Sequence, residues 1–346
     1  MSLRAGVKNA LLHSLEIVQV HELAAGFRKE RLLVPCYHGV VSNDRPSRTG
    51  DYYYDAVSAT EFTRQLEMLS KWYRFVDLTG AIDWLERGPS GGLPPALITF
   101  DDGYRNNLTV AAPILQRLGI PAVFFLTGNY VGSTRVLWPA EIGARIEHSA
   151  GVRVPMQDDP RGVTVPLDPV ARTALGNRIR GICKTMRNAP RVAYLEELRG
   201  ATQFHADRTD SELNAFLSWD EARQLASLGF GIGSHTLEHP ILSRLDPEEL
   251  QSELCGSRAK LESELRRPVT VLAYPNGGPK DFNREVMTAA TEAGYRHAFA
   301  VGDALHSRDK SPMAIRRVIV PGNVPDALFR FIASGCRDML PWKRKI

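Results

Sequence analysis

The chain has 346 residues, 43% hydrophobic and 24% charged, the ordinary soluble globular range for one large α/β domain or two smaller ones. Its formal charge of +4, from 43 Lys/Arg and 39 Asp/Glu, is spread without a basic block or an aromatic-interleaved basic stripe, so nucleic acid is not implied as a partner. Cys36, Cys183, Cys255 and Cys336 lie far apart with no C-x-x-C spacing, which argues for reduced, mostly buried thiols rather than a disulfide scaffold.

Residues 1–30 have helical periodicity through Leu11, Leu12, Leu15, Ile17, Val18 and Leu23. Lys8, His13, Glu16 and His21 interrupt the apolar positions, so neither a signal-peptide core nor a membrane span is expected there. The expectation is an N-terminal amphipathic helix packed on the domain, with docking on a membrane surface as the alternative. A cytoplasmic location, peripheral to the inner membrane face in that alternative, follows.

From residue 31 onward, apolar strand-like runs alternate with helical stretches. "RLLVPCYHGV" (31–40) reads as a strand ending at His38. A helix follows with Phe62, Leu66, Met68, Leu69 and Trp72 on its stripe, then a short strand at "FVDL" and a helix "AIDWLERG" stopped by Gly88 and Pro89. "PPALITFDDG" (94–103) is a strand that runs into two adjacent aspartates, and the helix "NLTVAAPILQRLG" and the strand "PAVFFLTG" come next. From about 133 to 217 periodicity weakens among Pro155, Pro160, Pro166 and Pro190, so this segment reads as an insertion of short helices and loops.

Alternation resumes with the helix "SWDEARQLASLGF" and the strand "GIGSHTLEHP" (231–240), which ends at two histidines. A long helix opens with Asp246 as N-cap and Pro247 at its first position. The strands "VTVLAYPNGG", "HAFAVG" and "IRRVIVPG", the helix "FNREVMTAATEAGY" and a last helix "PDALFRFIAS" complete the chain. About seven strands alternating with helices predict a (β/α) barrel over 31–346, whose functional groups belong where strands end.

Three clusters fall at such ends: His38, Asp101 with Asp102, and His235 with His239. Pro240 pushes the residue before it out of the α region, so His235 is placed at the strand end and His239 in the loop behind it. Two imidazoles and a carboxylate from different strands form a metal-site donor set suited to zinc or a similar divalent ion. A bound dication would offset the repulsion between neighbouring aspartates, leaving the second carboxylate ionised beside the metal as a base, with Gly103 supplying the turn that separates them. The bland alternatives are a solvated Asp-Asp-Gly turn and ordinary surface histidines. A haloacid-dehalogenase-type nucleophile is disfavoured, because it needs Asp-x-Asp and these aspartates are contiguous.

"TFDDG" (99–103) followed by "SHTLEHP" (234–240) resembles the polysaccharide deacetylase family, the NodB-homology or family-four carbohydrate esterases, over about 31–135 and 215–322. The resemblance implies a distorted (β/α)7-type barrel, with Asp101 as general base and Asp102, His235 and His239 as metal ligands. The metal it implies is zinc, with cobalt, nickel or manganese as substitutes. "AYPNG" (273–277) stands where the family has Arg-x-Pro-aromatic-Gly. Ala273 thus replaces the arginine that orients the base, and Asn276 replaces the aromatic while keeping a backbone N–H for the oxyanion. Tyr274 and Pro275 of this loop become substrate-side residues, and Arg316 or Arg317 is the candidate orienting arginine, with a surface ion pair as the alternative.

The late-strand histidine of the family is also missing. "CYHGV" (36–40) resembles the rearranged layout of poly-N-acetylglucosamine deacetylases, in which the acid histidine comes from the first strand, so His38 is the candidate acid and His297 a weaker one. Trp138, Tyr130 and Trp219 are candidate sugar platforms, Trp219 more naturally a core residue. The resemblance implies a metal-dependent hydrolase removing the N-acetyl group from an amino sugar, glycan or lipid-linked sugar in cell-envelope biosynthesis. The alternatives are an amino-sugar deformylase and a non-catalytic carbohydrate-binding relic.

Overall fold

The structure is a computed structural model that describes residues 24–42, 56–89, 91–202, 211–322 and 324–336. Most of the expected N-terminal helix and the whole "PWKRKI" tail lie outside the described residues. Seven parallel strands close into a barrel: β1 (Pro35–Tyr37), β2 (Ile98–Phe100), β3 (Ala122–Leu126), β4 (Gly231–Ser234), β5 (Val271–Ala273), β6 (His297–Gly302) and β7 (Ile315–Ile319). Each strand pairs with the next in the chain, and β7 returns to β1 with Val318 opposite Pro35 and Ile319 opposite Cys36. The expected (β/α)7 barrel is therefore present.

Helices α1 (Ala59–Leu69) and α2 (Leu78–Arg87) follow β1, and α3 (Ala112–Leu118) follows β2. Helices α4 (Trp138–Glu147), α5 (Pro169–Thr185), α6 (Asn188–Ala201) and α7 (Trp219–Ser227) lie between β3 and β4. Helix α8 (Pro247–Leu265) precedes β5, α9 (Arg284–Glu292) precedes β6, and α10 (Asp326–Ala333) closes the described chain. Between β6 and β7 the connection has no α-helix, only a two-residue strand, His306–Ser307, and a 3₁₀ turn, Pro312–Ala314. Among the described residues no helix is long and apolar enough to cross a membrane.

The strand period of two sorts each strand's residues into two cores. Val34, Val123, Phe125, Val271, Ala273, Phe299 and Ile315 form an inner cluster, with the Phe125 and Phe299 rings 5.1 Å apart. Their neighbours Tyr37, Ile98, Phe100, Phe124, Leu126, Ile232 and Leu272 face the surrounding helices in the larger cluster. The inward row thus runs on through Cys36 and Arg317 and places their side chains at the mouth of the barrel.

Two local expectations change. The predicted helix over 107–119 begins as a π-helical turn, Asn107–Ala111, and becomes α-helical only at Ala112. Pro113 explains this, because its ring and missing N–H cannot sit inside regular α-helix, so it occupies the first turn of α3. The insertion is also more regular than expected: α5 has 17 residues, α6 has 14, and an antiparallel ribbon joins Arg153–Met156 to Asp159–Thr164. Helix α5 buries a narrow seam of Leu175, Ile179 and Cys183 that also carries Gly176 and Arg180, which leaves little apolar contrast in its sequence. These elements share a core of their own, and it includes Ile241 from the loop after β4.

Candidate metal centre

Strand β4 ends at Ser234, and His235 is the first residue past it, inward by strand parity. Its Nδ1 lies 2.8 Å from the Ala273 carbonyl. A carbonyl only accepts, so Nδ1 carries the proton and Nε2 keeps a lone pair. That Nε2 lies 3.4 Å from Asp102 Oδ1, and His239 Nε2 lies 3.5 Å from the same oxygen. All three residues are buried, and their ligand atoms fall within 4.8 Å of one another.

These separations are long for hydrogen bonds, and Asp102 Oδ1 is buried with no hydrogen-bond partner. Donors about 2.1 Å from a common ion at tetrahedral angles stand about 3.4 Å apart, so the two separations from Asp102 Oδ1 fit a shared cation. Burial, then the neighbouring His235, drives His239 well below its ordinary range, which keeps it neutral and able to ligate. Burial pushes the Asp102 carboxyl up against the opposing pull of His38 and His235, the imbalance a bound cation would remove. The residues present therefore fit a divalent ion.

Backbone conformation brings the set together. Asp102, Thr236, His239 and Asn276 all have positive φ (73°, 67°, 54° and 57°), and Arg266 at a helix end is the only other described non-glycine that does. Left-handed backbone is costly for such residues and concentrates at functional sites. The expected turn at Gly103 (φ 88°) begins one residue earlier, at Asp102 itself. Strand alternation alone would send Asp102 away from Asp101's side; the left-handed turn brings it back over the barrel mouth to the histidines.

Asp101 is the better-held aspartate. Arg317 Nη1 and Nη2 reach its two oxygens at 2.5 and 2.8 Å, and the Cys36 thiol lies 3.4 Å from Oδ2. Burial opposes ionisation of Asp101, but the bidentate guanidinium outweighs it and holds the carboxyl well below the usual carboxylate range. Of the two arginines offered by the sequence, Arg317 shares inward parity with Ile315 and is fully buried, while Arg316 is exposed and its backbone N–H donates to His306 Nδ1. The contact of Arg317 is thus with Asp101 rather than with a position open to substrate. Cys36 was not singled out from sequence; its parity with His38 on the first strand was the available signal.

The other candidates divide. His38 is half-buried just past β1, its Nδ1 has no partner, and its charge acts on both aspartates and on His239. Asn276 follows β5 at the same end of the barrel, with a buried, unpartnered Nδ2. Tyr274 is a correction: it is fully buried, stacked on Phe282 at 4.5 Å, and its hydroxyl donates to the Met313 carbonyl, so it belongs to the core. Pro275 is also buried. Trp138 is corrected too, because it is only 4% exposed, with Arg191 over one face, and presents no free face to a sugar. Its indole N–H instead donates to the His239 carbonyl at 3.1 Å. Tyr130 is buried against Phe216 and Arg135, and Trp219 packs on the core. His297 opens β6 opposite Val271, at the far end of the barrel from the aspartates, which removes it as an acid.

Two residues that the sequence did not single out hold the histidine loop. Glu253 Oε2 of α8 accepts from the Leu237 and Glu238 N–H groups at 2.8 and 3.1 Å, and Thr236 Oγ1 accepts from the His239 N–H at 3.2 Å.

Comparison with known proteins bears on the family and the fold. The polysaccharide deacetylase family model matches residues 91–156 and 188–298, together just over half of the chain. A curated relative, the putative polysaccharide deacetylase YxkH of Bacillus subtilis (strain 168), is 31% identical over 239 residues, covering 69% of this chain. The chain spans 56% of the length of that relative. Among solved structures, the Streptococcus pyogenes deacetylase PplD in complex with acetate superposes with a TM-score of 0.55 at 16% identity, covering 85% of this chain and 93% of that one. IcaB from Ammonifex degensii gives a TM-score of 0.55 at 20% identity, covering 88% and 97%. These structural likenesses speak for the fold; the sequence match, spanning both aspartates and both histidines, makes this chain a member of the polysaccharide deacetylase family.

Proposed function

We propose that the protein is a metal-dependent hydrolase that removes the N-acetyl group from an amino sugar, within a glycan or lipid-linked sugar of cell-envelope biosynthesis. The observation that carries this reading is the convergence at one barrel mouth of Asp102, His235 and His239 with a separately held Asp101. A divalent cation on the first three residues, zinc by preference and cobalt, nickel or manganese as substitutes, supplies Lewis acidity that polarises an amide carbonyl and makes water a stronger acid.

The protein's own groups do the rest. Asp101 is ionised throughout the neutral range and takes the proton of the attacking water, while Arg317 fixes the plane of its carboxylate. A base held this low is weak towards bulk water, which is why a cation beside it matters. His38 donates a proton to the departing amine, which would otherwise leave as an amide anion. The backbone N–H of Asn276 faces the developing oxyanion, a contribution of roughly 3 kcal/mol for such a donor.

The test measures metal content together with acetate release from N-acetylglucosamine oligomers. Asp101→Asn should lose turnover by orders of magnitude while keeping the ion, and His235→Ala or His239→Ala should lose both. Formate release from an N-formyl sugar without acetate release would make the protein a deformylase. An ion bound without turnover on any acylated amino sugar would make it a binding relic.

A further inference from the structure

The two histidines at the site are held by different means. His235 is fixed at its ring, through Nδ1 and the Ala273 carbonyl. The Nδ1 of His239 is buried with no hydrogen-bond partner, so nothing of that kind fixes its imidazole. Its backbone is held instead: the N–H by Thr236 Oγ1 within the same loop, and the carbonyl by the indole N–H of Trp138, which opens the insertion. A left-handed conformation before proline is sterically unfavourable, so His239 keeps it, and with it the direction of its side chain, through the contacts that hold its N–H and its carbonyl.

Trp138 is pinned in turn. The Arg191 guanidinium of α6 lies 4.9 Å from its ring centroid. Arg191 is 5% exposed and forms no carboxylate ion pair among the described residues; Nη2 donates to Asn188 Oδ1 at 2.6 Å. Asn188 Nδ2 donates to Glu249 Oε1 at 2.8 Å, and Glu249 is half of the capping box that starts α8. The outer links, Trp138 to His239 and Asn188 to Glu249, tie the insertion to the histidine loop and to the helix after it, and Ile241 of that loop lies in the insertion's core.

We infer that Trp138 and Arg191 are positioning residues for His239, so that the insertion joins the barrel in setting how tightly the site holds its cation. The inference rests on the cation site proposed above. Removing hydrogen-bond partners of the ligating side chains themselves commonly changes metal affinity by about 10- to 100-fold, and a partner of the ligand's backbone carbonyl is expected at the lower end of that range.

The experiment is competition for zinc between the metal-free full chain and a chromophoric chelator. Visible spectra of the cobalt-loaded protein and thermal melts of the metal-free form accompany it. Trp138→Phe keeps an aromatic ring but removes the pyrrole half of the indole with its N–H, and it should weaken zinc binding by about tenfold and alter the cobalt spectrum. The metal-free melt should fall by a few degrees for the lost indole volume, so zinc affinity is read on protein shown to be folded. Arg191→Lys keeps the charge and loses the planar stacking fork, and it should weaken zinc binding several-fold, which serves if Trp138→Phe does not fold. Wild-type zinc affinity and cobalt spectrum in a folded Trp138→Phe or Arg191→Lys protein would overturn the inference alone. A wild-type chain that bound zinc no better than His235→Ala would instead remove the proposed cation site.

Discussion

Asp101 and Arg317 form a buried pair whose two members depend on each other for their charge. Removing Arg317 leaves a buried carboxylate with the Cys36 thiol and the His235 imidazole, 4.0 Å from Oδ2, as its nearest polar neighbours, and breaking such a pair costs about 3–5 kcal/mol. Arg317→Met should therefore lose about that much stability in urea unfolding. Its rate–pH profile should also have the acidic limb moved to higher pH, because the carboxyl loses the countercharge that held it down. An acidic limb that did not move would refute the pairing as the source of Asp101's acidity. The sign for stability follows from the same depression: the pair stabilises fully above the unfolded carboxylate's value of about 4, and this is lost as pH falls through the lower folded-state value. At Asn276, φ is 57° and the proposed donor is the backbone N–H. Asn276→Gly should retain turnover within a few-fold, since glycine takes that backbone freely, whereas Asn276→Val should lose it. If the glycine variant were dead, the side-chain amide would be the working group.

Among the elements, the insertion is where charge does most structural work. Glu141 of α4 is buried and bonds Arg145 Nε at 2.8 Å, with Arg199 Nη2 of α6 at 2.6 Å. Burial opposes its charge, but the two guanidiniums prevail and its carboxyl is held below the ordinary value. Glu141→Gln should destabilise the protein by about 1–3 kcal/mol. That deficit should shrink as pH falls through the folded-state value of Glu141, because the wild type loses the same interaction there; a deficit independent of pH would mean that packing, not charge, is responsible. Helix α8 makes the contrasting case, since its start is written in the chain: Asp246 caps, Pro247 sits in the first turn and Glu249 completes the box. Asp246→Ala should cost about 1 kcal/mol. The α8 signal was legible because capping needs only near neighbours. The thin α5 seam was not, because its partners, Trp138, the Pro139 carbonyl that meets Arg180, and the ribbon, come from elsewhere in the chain.

At the scale of the molecule, the barrel interior is filled, so the site's floor is set by packing. A Cβ on Gly233 would stand 2.5 Å from Phe125 Cε1 and 2.9 Å from Val271 Cγ2, contacts no side chain tolerates without movement. Gly233→Ala should cost about 1–3 kcal/mol by denaturant unfolding. It should also weaken the cation, because His235 is two residues further along the same inward row. Wild-type stability in that variant would show that the inner core yields more readily than its close packing implies.

The sequence by itself determined the alternation that closes the barrel, the residues at its strand ends, and the family to which the two motifs belong. Strand period, proline, glycine and capping residues act over a few positions, and the chain displays them directly. Only the tertiary structure decided which of two adjacent arginines faces Asp101, that Tyr274 and Trp138 are buried rather than offered to a sugar, and that His297 lies at the wrong end. Those outcomes depend on strand parity and on partners tens to hundreds of residues away. Arg317 meets Asp101 across 216 positions, and Trp138 meets His239 across 101. Contacts at such separations are made when the barrel closes and the insertion packs on its loop, and no local pattern in the chain records them.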